Sequence, residues 1–337
     1  MKQFSLLAAI QQNIAGQNYS SEVREVLNAG KEMVRKSNMG FGTSGLLIPI
    51  EERDLTVSNG GSPTVQTNVL DLVLPLRNAL VAVQAGATFL PNMDLNGTEG
   101  SISIPTYAGS SVTWENESDP NSEGSGLLNN ILMSPKRLTA SLNISAQFLL
   151  QTNPRVEAML RQDLADAIAE KLEAAIFGKA AHAAKQPDGL FTGVTDGLLG
   201  VKGVGSLANV LTLESLLENA NVKRDKRAYI TNGAGSIILK QTPKISGQAI
   251  YLQDNNVCNG YPVYVTNNIA TGLATAANEN GLIFANWSDL IIAQFGVLEI
   301  IIDPFSLARI GEVKLIINSF WDVVKRRAAS FAIGSIK

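Results

Sequence analysis

The sequence holds one cysteine, Cys258, and one histidine, His182, among 337 residues. A single thiol cannot close an intrachain disulfide, so a small stapled secreted fold is excluded and a reducing compartment fits better. With one imidazole and one thiol there is no His/Cys metal centre, and no Asp-x-Asp-x-Asp-Gly loop offers a carboxylate site for calcium. Acyl transfer by serine or cysteine needs a base, and His182 lies in the small-residue run 179–185, where a solvated loop histidine is the simpler reading. No catalytic residue, cofactor or metal is expected, and the chain does not read as an enzyme.

An excess of either charge is also missing. Lys and Arg total 27 against 30 Asp and Glu, a formal net charge of -3, so the chain as a whole does not attract a polyanion, and sequence-specific DNA recognition is not expected. No apolar run approaches the ~20 residues that span a bilayer, so no membrane partner is expected. The short apolar stretch 4–10 is broken by Gln11, Gln12 and Asn13 and reads as an amphipathic helix rather than a signal peptide.

What is present is a 45% apolar chain whose 29 glycines and 12 prolines are spread along it, as in a folded α+β molecule with many turns. Helical spacing of Val23, Val26, Leu27 and Val34 over 21–37 leaves a narrow apolar stripe that needs a surface, and we expect a neighbouring subunit to supply it. A hairpin follows. Ile102 and Ile104 alternate with serines, Val112-Thr-Trp114 continues the outgoing limb, and 115–130 forms a polar tip. The return limb carries the clearest period of two, with Leu138, Ala140, Leu142, Ile144, Ala146 and Phe148 on one face.

Asn153 and Pro154 then open a helix whose stripe, from Val156 to Ile176, stops at Gly178; at about 1.5 Å per residue it is ~37 Å long, a structural spine. Beyond it, short elements form a compact α/β region: helices at 213–220 and 234–241, and strands at 227–231 and 261–266. Residues 298–302 and 312–324 read as long strands.

The remaining constellations favour structure over chemistry. Gly200-Val-Lys-Gly-Val-Gly lacks the Gly-Lys-Ser/Thr ending of a phosphate loop, and Gly233-Ala-Gly235 lacks the third glycine of a dinucleotide fingerprint, so both read as turns. Glu115 and Glu117 would share a strand face, yet they sit at a polar tip and read as solvated or intersubunit carboxylates. Three basic clusters stand out: Lys136-Arg137, Lys223-Arg224 with Lys226-Arg227, and Lys325-Arg326-Arg327. Lys136 and Arg137, placed on the hairpin, are expected to form intersubunit salt bridges. Trp114, Glu115, Glu117, Lys136 and Arg137 are the candidate intersubunit contacts.

Val112-Thr-Trp-Glu-Asn-Glu on the outgoing limb, Ser134-Pro-Lys-Arg-Leu-Thr-Ala-Ser-Leu-Asn-Ile-Ser on the return, the helix from Pro154 to Phe177 and Pro187-Asp-Gly-Leu occur in an order and spacing that resemble the tailed-phage major capsid protein family. That family has the HK-ninety-seven-like fold and also includes encapsulin nanocompartments. The resemblance implies an α+β chain divided into an N-terminal arm (1–78), a P-domain (79–95, 144–195 and 291–326, with its spine helix at about 154–177), an E-loop hairpin (96–143) and an A-domain (196–290), to which 327–337 returns.

It further implies a major capsid protein that self-assembles into hexamers and pentamers, forming an icosahedral virion shell in the host bacterial cytoplasm. Packaged double-stranded DNA would be held without sequence specificity. A scaffolding protein, a portal and a decoration protein would be further partners. An encapsulin shell is the alternative within the fold, disfavoured by the long arm, and a carboxylate-dependent hydrolase or transferase is the alternative outside it. Only about forty leading residues could serve as a scaffolding region, which points to a separate scaffolding protein or a processed or shortened chain. Some relatives crosslink a hairpin lysine to a neighbour's asparagine, but 97–135 contains no lysine. Particles boiled in SDS are therefore expected to release only monomer, and a ladder of covalent oligomers would contradict noncovalent closure.

Overall fold

Two 14-residue strands set the frame. The computed structural model describes residues 9, 12, 20–36, 46–48, 80–93, 101–107, 114, 128–145, 154–179, 185–194, 199–203, 205–245, 247–274 and 278–337. Within these, β12 (Leu290–Asp303) pairs antiparallel with β13 (Glu312–Lys325), from Leu290 opposite Lys325 to Asp303 opposite Lys314. β12 is buried from Leu290 to Ile300, and its nearly unbroken apolar run is what a strand covered on both faces requires. The register shifts between Phe295 and Glu299, where Gly296 takes a positive φ of 66°. A glycine there lets the strand bulge without strain.

The outer edge of β12 is shared. β2 (Thr88–Met93) runs parallel to Ile291–Phe295, and β1 (Leu46–Ile48) pairs antiparallel with Leu298–Ile300. On the far side of β13 lies β5 (Lys136–Ser145), in register from Trp321 opposite Lys136 to Glu312 opposite Ser145. The α1 helix (Ser21–Lys36) buries Val23 and Leu27 in this same core. The arm stripe is thus met by its own subunit, which corrects the expectation that a neighbour covers it. β2 occupies only part of the β12 edge, so a docking edge for β1 remains beside it.

The alternating run from Leu138 is also placed differently from expectation. Its period of two holds, with Leu138, Ala140 and Ile144 facing the core, but the strand is β5 of the main sheet and not the return limb of the hairpin. The hairpin is a separate ribbon in which β3 (Ile102–Tyr107) pairs with β4 (Leu128–Met133), from Ile102 opposite Met133 to Tyr107 opposite Leu128. Its return strand therefore lies partly in the stretch read as a polar tip. Buried Lys136 pins the corner between β4 and β5. Its ammonium lies 3.1 Å from Asp322, whose other carboxylate oxygen accepts from the Ser134 N–H at 2.8 Å. Pairing and hydrogen bonding together make such a buried charge tolerable, and removing one partner would strand the other.

The spine is α3 (Pro154–Ile176), with Ile168, Leu172 and Ile176 buried, while the capping residue Asn153 and the loop with His182 lie outside the described residues. A second sheet, ordered β10 (Thr271–Leu273), β11 (Glu279–Asn286), β6 (Arg227–Thr231), β9 (Tyr261–Val265), β8 (Val257–Cys258) and β7 (Gln253–Asp254), has β14 (Phe331–Ile336) added on β11. It carries α4 (Leu207–Asn219), capped by Ser206, and α5 (Gly233–Gln241), capped by Asn232. Gly233 and Gly235 thus open a helix rather than form a free turn. A Cβ on Gly235 would sit 2.1 Å from Thr231 Oγ1, so only glycine fits there.

The two sheets are joined by Trp287. Its ring centroid lies 5.9 Å from both Phe177 at the end of the spine and Phe331 of β14, and its indole N–H donates to the Ala228 carbonyl at 3.0 Å. Removing such a ring costs about 3–5 kcal/mol. Beside it, fully buried Glu173 of α3 accepts hydrogen bonds from the Val81 N–H, at the start of α2 (Val81–Gln84), at 2.8 Å and from the Asn268 amide at 3.1 Å. Burial pushes this carboxyl above its ordinary value, and the hydrogen bonds pull it partly back.

A carboxyl raised in the folded state gives stability that is full below its unfolded value near 4.5 and is lost as pH rises through the folded value. The stability of the wild type relative to Glu173→Gln is therefore expected to improve as pH is lowered from about 8 to about 5. A difference between the two that stays constant across that range would contradict this account of Glu173.

Candidate assembly surface

Apolar side chains are left uncovered at the extremities of the fold. In the ribbon, Ile102, Ile104 and Met133 face inward and pack with Ile291, Phe295 and Phe320 of the main sheet. The period of two then turns Tyr107, Leu128 and Leu132 outward, and all three are exposed, Leu128 by 73%. Each such side chain gains about 1.5–3 kcal/mol when buried. The two ribbon strands pair only with each other among the described residues, so the ribbon adds no strand to either sheet. β5 ends its sheet, with its outer edge unpaired among the described residues.

The turn between β12 and β13 is a second extremity. The Asp303 carboxylate accepts from the backbone N–H groups of Phe305 at 2.9 Å and Ser306 at 3.0 Å and from the Ser306 hydroxyl. These bonds hold its carboxyl below the usual range. Gly311, at φ 69°, closes the turn. The result is a tip of fixed shape that presents Phe305, 84% exposed, and Ile310. A third patch lies on the second sheet and its connections, where Ile237, Ile245, Ile250, Tyr251, Val257 and Val265 are exposed.

Of the residues singled out in the sequence, Trp114 is fully exposed, and Arg137 is exposed on β5 opposite Phe320. Glu115 and Glu117 lie outside the described residues. Lys136 does not belong with this set, because Asp322 engages it inside the subunit. Tyr107, Leu128, Leu132, Phe305 and Ile310 were missed. The one signal that could have found Phe305 was a large aromatic within Asp303-Pro-Phe-Ser, a turn sequence with no strand period to bury it.

Chemistry is sparse. No group of three or more His, Cys, Asp or Glu that could hold a metal occurs among the described residues. Cys258 is buried, with its thiol pushed up to about 12 chiefly by burial, so it is an inert packing residue. No helix among the described residues is long and apolar enough to cross a membrane.

Comparison with known proteins agrees with this geometry. The chain is 26% identical over 354 aligned positions to the major capsid protein of Halomonas phage phiHAP-1, covering 99% of this chain and 54% of that relative, so it spans about half the relative's length. Among solved structures, the capsid of a native GTA particle superposes with a TM-score of 0.62 at 16% identity, over 81% of this chain and 95% of that one. A chain of Microbacterium phage Oxtober96 superposes with a TM-score of 0.59 at 12% identity, over 81% and 96%. At these identities the likeness concerns the fold, which is the α+β, HK-ninety-seven-like capsid fold. The model of the phage capsid family matches residues 61–336, nearly the whole of the described molecule, and the chain therefore belongs to the phage capsid family.

Proposed function

We propose that this chain is the major shell subunit of a tailed-phage head, whose copies form hexamers and pentamers that close an icosahedral shell around double-stranded DNA. The observation that carries the proposal is the ribbon. Its inner face is anchored on the main core, while Leu128 and Leu132 face outward and are exposed. An apolar, exposed ribbon on a rigid base is a surface for pairing with another copy, through buried apolar area and added backbone hydrogen bonds. Closed symmetric assembly gives every such surface an identical complement.

In this reading the division into arm (1–78), E-loop (96–143), P-domain and A-domain (196–290) stands with one change: the E-loop ends near Pro135, and β5 belongs to the P-domain. Exposed Trp114 would meet the neighbour, together with the carboxylates Glu115 and Glu117 that follow it in sequence, and Arg137 on β5 would do the same. The Phe305 tip and the apolar patch of the A-domain are further contacts between copies. A scaffolding protein, a portal and a decoration protein are the external partners, and the shell forms in the host bacterial cytoplasm. The chain's role is structural.

The paired substitution Leu128→Ser and Leu132→Ser tests the reading. Both side chains are exposed, so subunit stability should change by no more than about 0.5 kcal/mol each. Shell yield in negative-stain micrographs should fall at least tenfold. Shells formed at the wild-type level would refute the role of the ribbon, and wild-type shells filled with a single enzyme would assign the chain to the nanocompartment branch of the fold.

A further inference from the structure

Two basic clusters about a hundred residues apart in sequence, Lys223–Arg227 and Lys325–Arg327, are brought to one place. The turn Trp287–Asp289 couples them: the Trp287 N–H donates to the Lys226 carbonyl at 2.9 Å, and the Asp289 carbonyl accepts from the Arg326 N–H at 2.7 Å. The first cluster is held from within. Buried Arg227 donates to Glu218 at 2.6 Å and to the Lys223 carbonyl at 3.2 Å, which fixes the turn that presents Lys223 and Lys226. A third segment completes the floor. Gly86, at φ 109°, lies so close to the Lys226 stem that an added Cβ would meet its Cβ at 2.9 Å and its Cγ at 3.0 Å. The stem is laid along that glycine and its charged end is left in solvent.

The local charge balance departs from that of the chain. Glu218 engages Arg224 as well as Arg227, and Asp289 lies 3.9 Å from Arg326. Lys223, Lys226, Lys325 and Arg327 have no ion pair among the described residues. Exposed Asp225 within the first cluster offsets one of these four cations, and the patch remains net cationic on a molecule whose net charge is -3. It also differs in kind from the assembly surfaces, because none of the large exposed apolar side chains lies in segments 85–87, 223–227, 286–290 or 325–327. Interfaces between protein copies are built around apolar or aromatic anchors. A patch of spread cations on flexible stems, with no such anchor, suits the regularly spaced phosphates of a nucleic-acid backbone.

We propose that this junction of Lys223, Lys226, Lys325 and Arg327 is a phosphate-backbone contact for double-stranded DNA, so that the face carrying it is the lumenal face of the shell. The inference rests on the shell reading and adds to it the surface that touches the contents. Binding is independent of sequence, since no base-reading element accompanies the cations.

The test compares the full-length wild type with the triple variant Lys223→Gln, Lys226→Gln and Arg327→Gln, and with a control of equal charge change, Lys31→Gln, Lys202→Gln and Lys240→Gln, at exposed positions elsewhere. Binding of a mixed-sequence 30-base-pair duplex is followed by fluorescence anisotropy across a salt series, and shell formation is scored in parallel by sedimentation. The expected result is a salt slope shallower by about 2 to 3 in the patch variant, an unchanged slope in the control and normal shells in both. An unchanged slope in the patch variant, an equal loss in the control, or no duplex binding by the wild type would overturn the proposal. Loss of shells with unchanged duplex binding would also overturn it, assigning the patch to contact between copies. Failure of the wild type to form shells would sink the shell reading alone, leaving the slope comparison intact as a measure of duplex binding.

Discussion

The antiparallel pairing of β12 with β13 is the constraint on which the rest of the molecule is registered. Eleven matched residue pairs join the two strands, and every other part of the main sheet takes its position from one of their outer edges. β2 and β1 divide the edge of β12, and β5 follows β13 residue by residue. The ribbon stands on Ile291 and Phe295 near one end of the pair, and the Phe305 tip is the turn at the other. Because β-strand side chains alternate strictly, a slip of one residue in this register would turn the ribbon's anchoring residues away from their core. The places where the subunit meets its surroundings are thus set by one strand pair.

That arrangement separates what is closed from what is open. Charged groups drawn into the interior find partners there: Lys136 with Asp322, Glu173 with Val81 and Asn268, and Glu279 with Gly203 and Ser335. Apolar groups at the extremities, Leu128, Leu132, Phe305 and Ile310, are exposed instead. A subunit with its buried charges paired inside and apolar side chains exposed at its ends has a rigid body and adhesive projections, the combination that a closed shell of identical copies needs. The cationic junction, by contrast, carries no large exposed apolar side chain, so one molecule has two chemically distinct kinds of surface.

Much of this architecture was legible in the residues themselves. The spine helix, expected over 154–177 and found over 154–176, followed from a long stripe at helical spacing and from Pro154 and Gly178. The strand expected at 227–231 is found there, and the helix expected at 234–241 is found over 233–241, its Asn232 cap being visible only in the structure. Pairing was not readable. The run from Leu138 announces a half-buried strand, but alternation says only that one face is buried, not which strand lies alongside, so β5 was taken for the hairpin's return limb. Leu128 was hidden for a related reason: among asparagines, serines and glycines it fell within the stretch 115–130 read as a polar tip, and only the partner strand Ile102–Tyr107 gives it and Leu132 a face. Lys136 looked like a surface cation because its partner is 186 residues away. The meeting of the two basic clusters was equally invisible, since it depends on hydrogen bonds to a turn distant in sequence from each.

The central claim is that the ribbon and the β12–β13 tip are open in the free subunit and covered by other copies in the shell. Hydrogen–deuterium exchange measures this directly, by comparing unassembled subunits with assembled particles of the same chain. The account predicts strong new protection in 102–107 and 128–133 and at the tip 303–311, with little change in β6 and β11, which are already internal. Equal exchange of the ribbon and tip amides in the two states would contradict it.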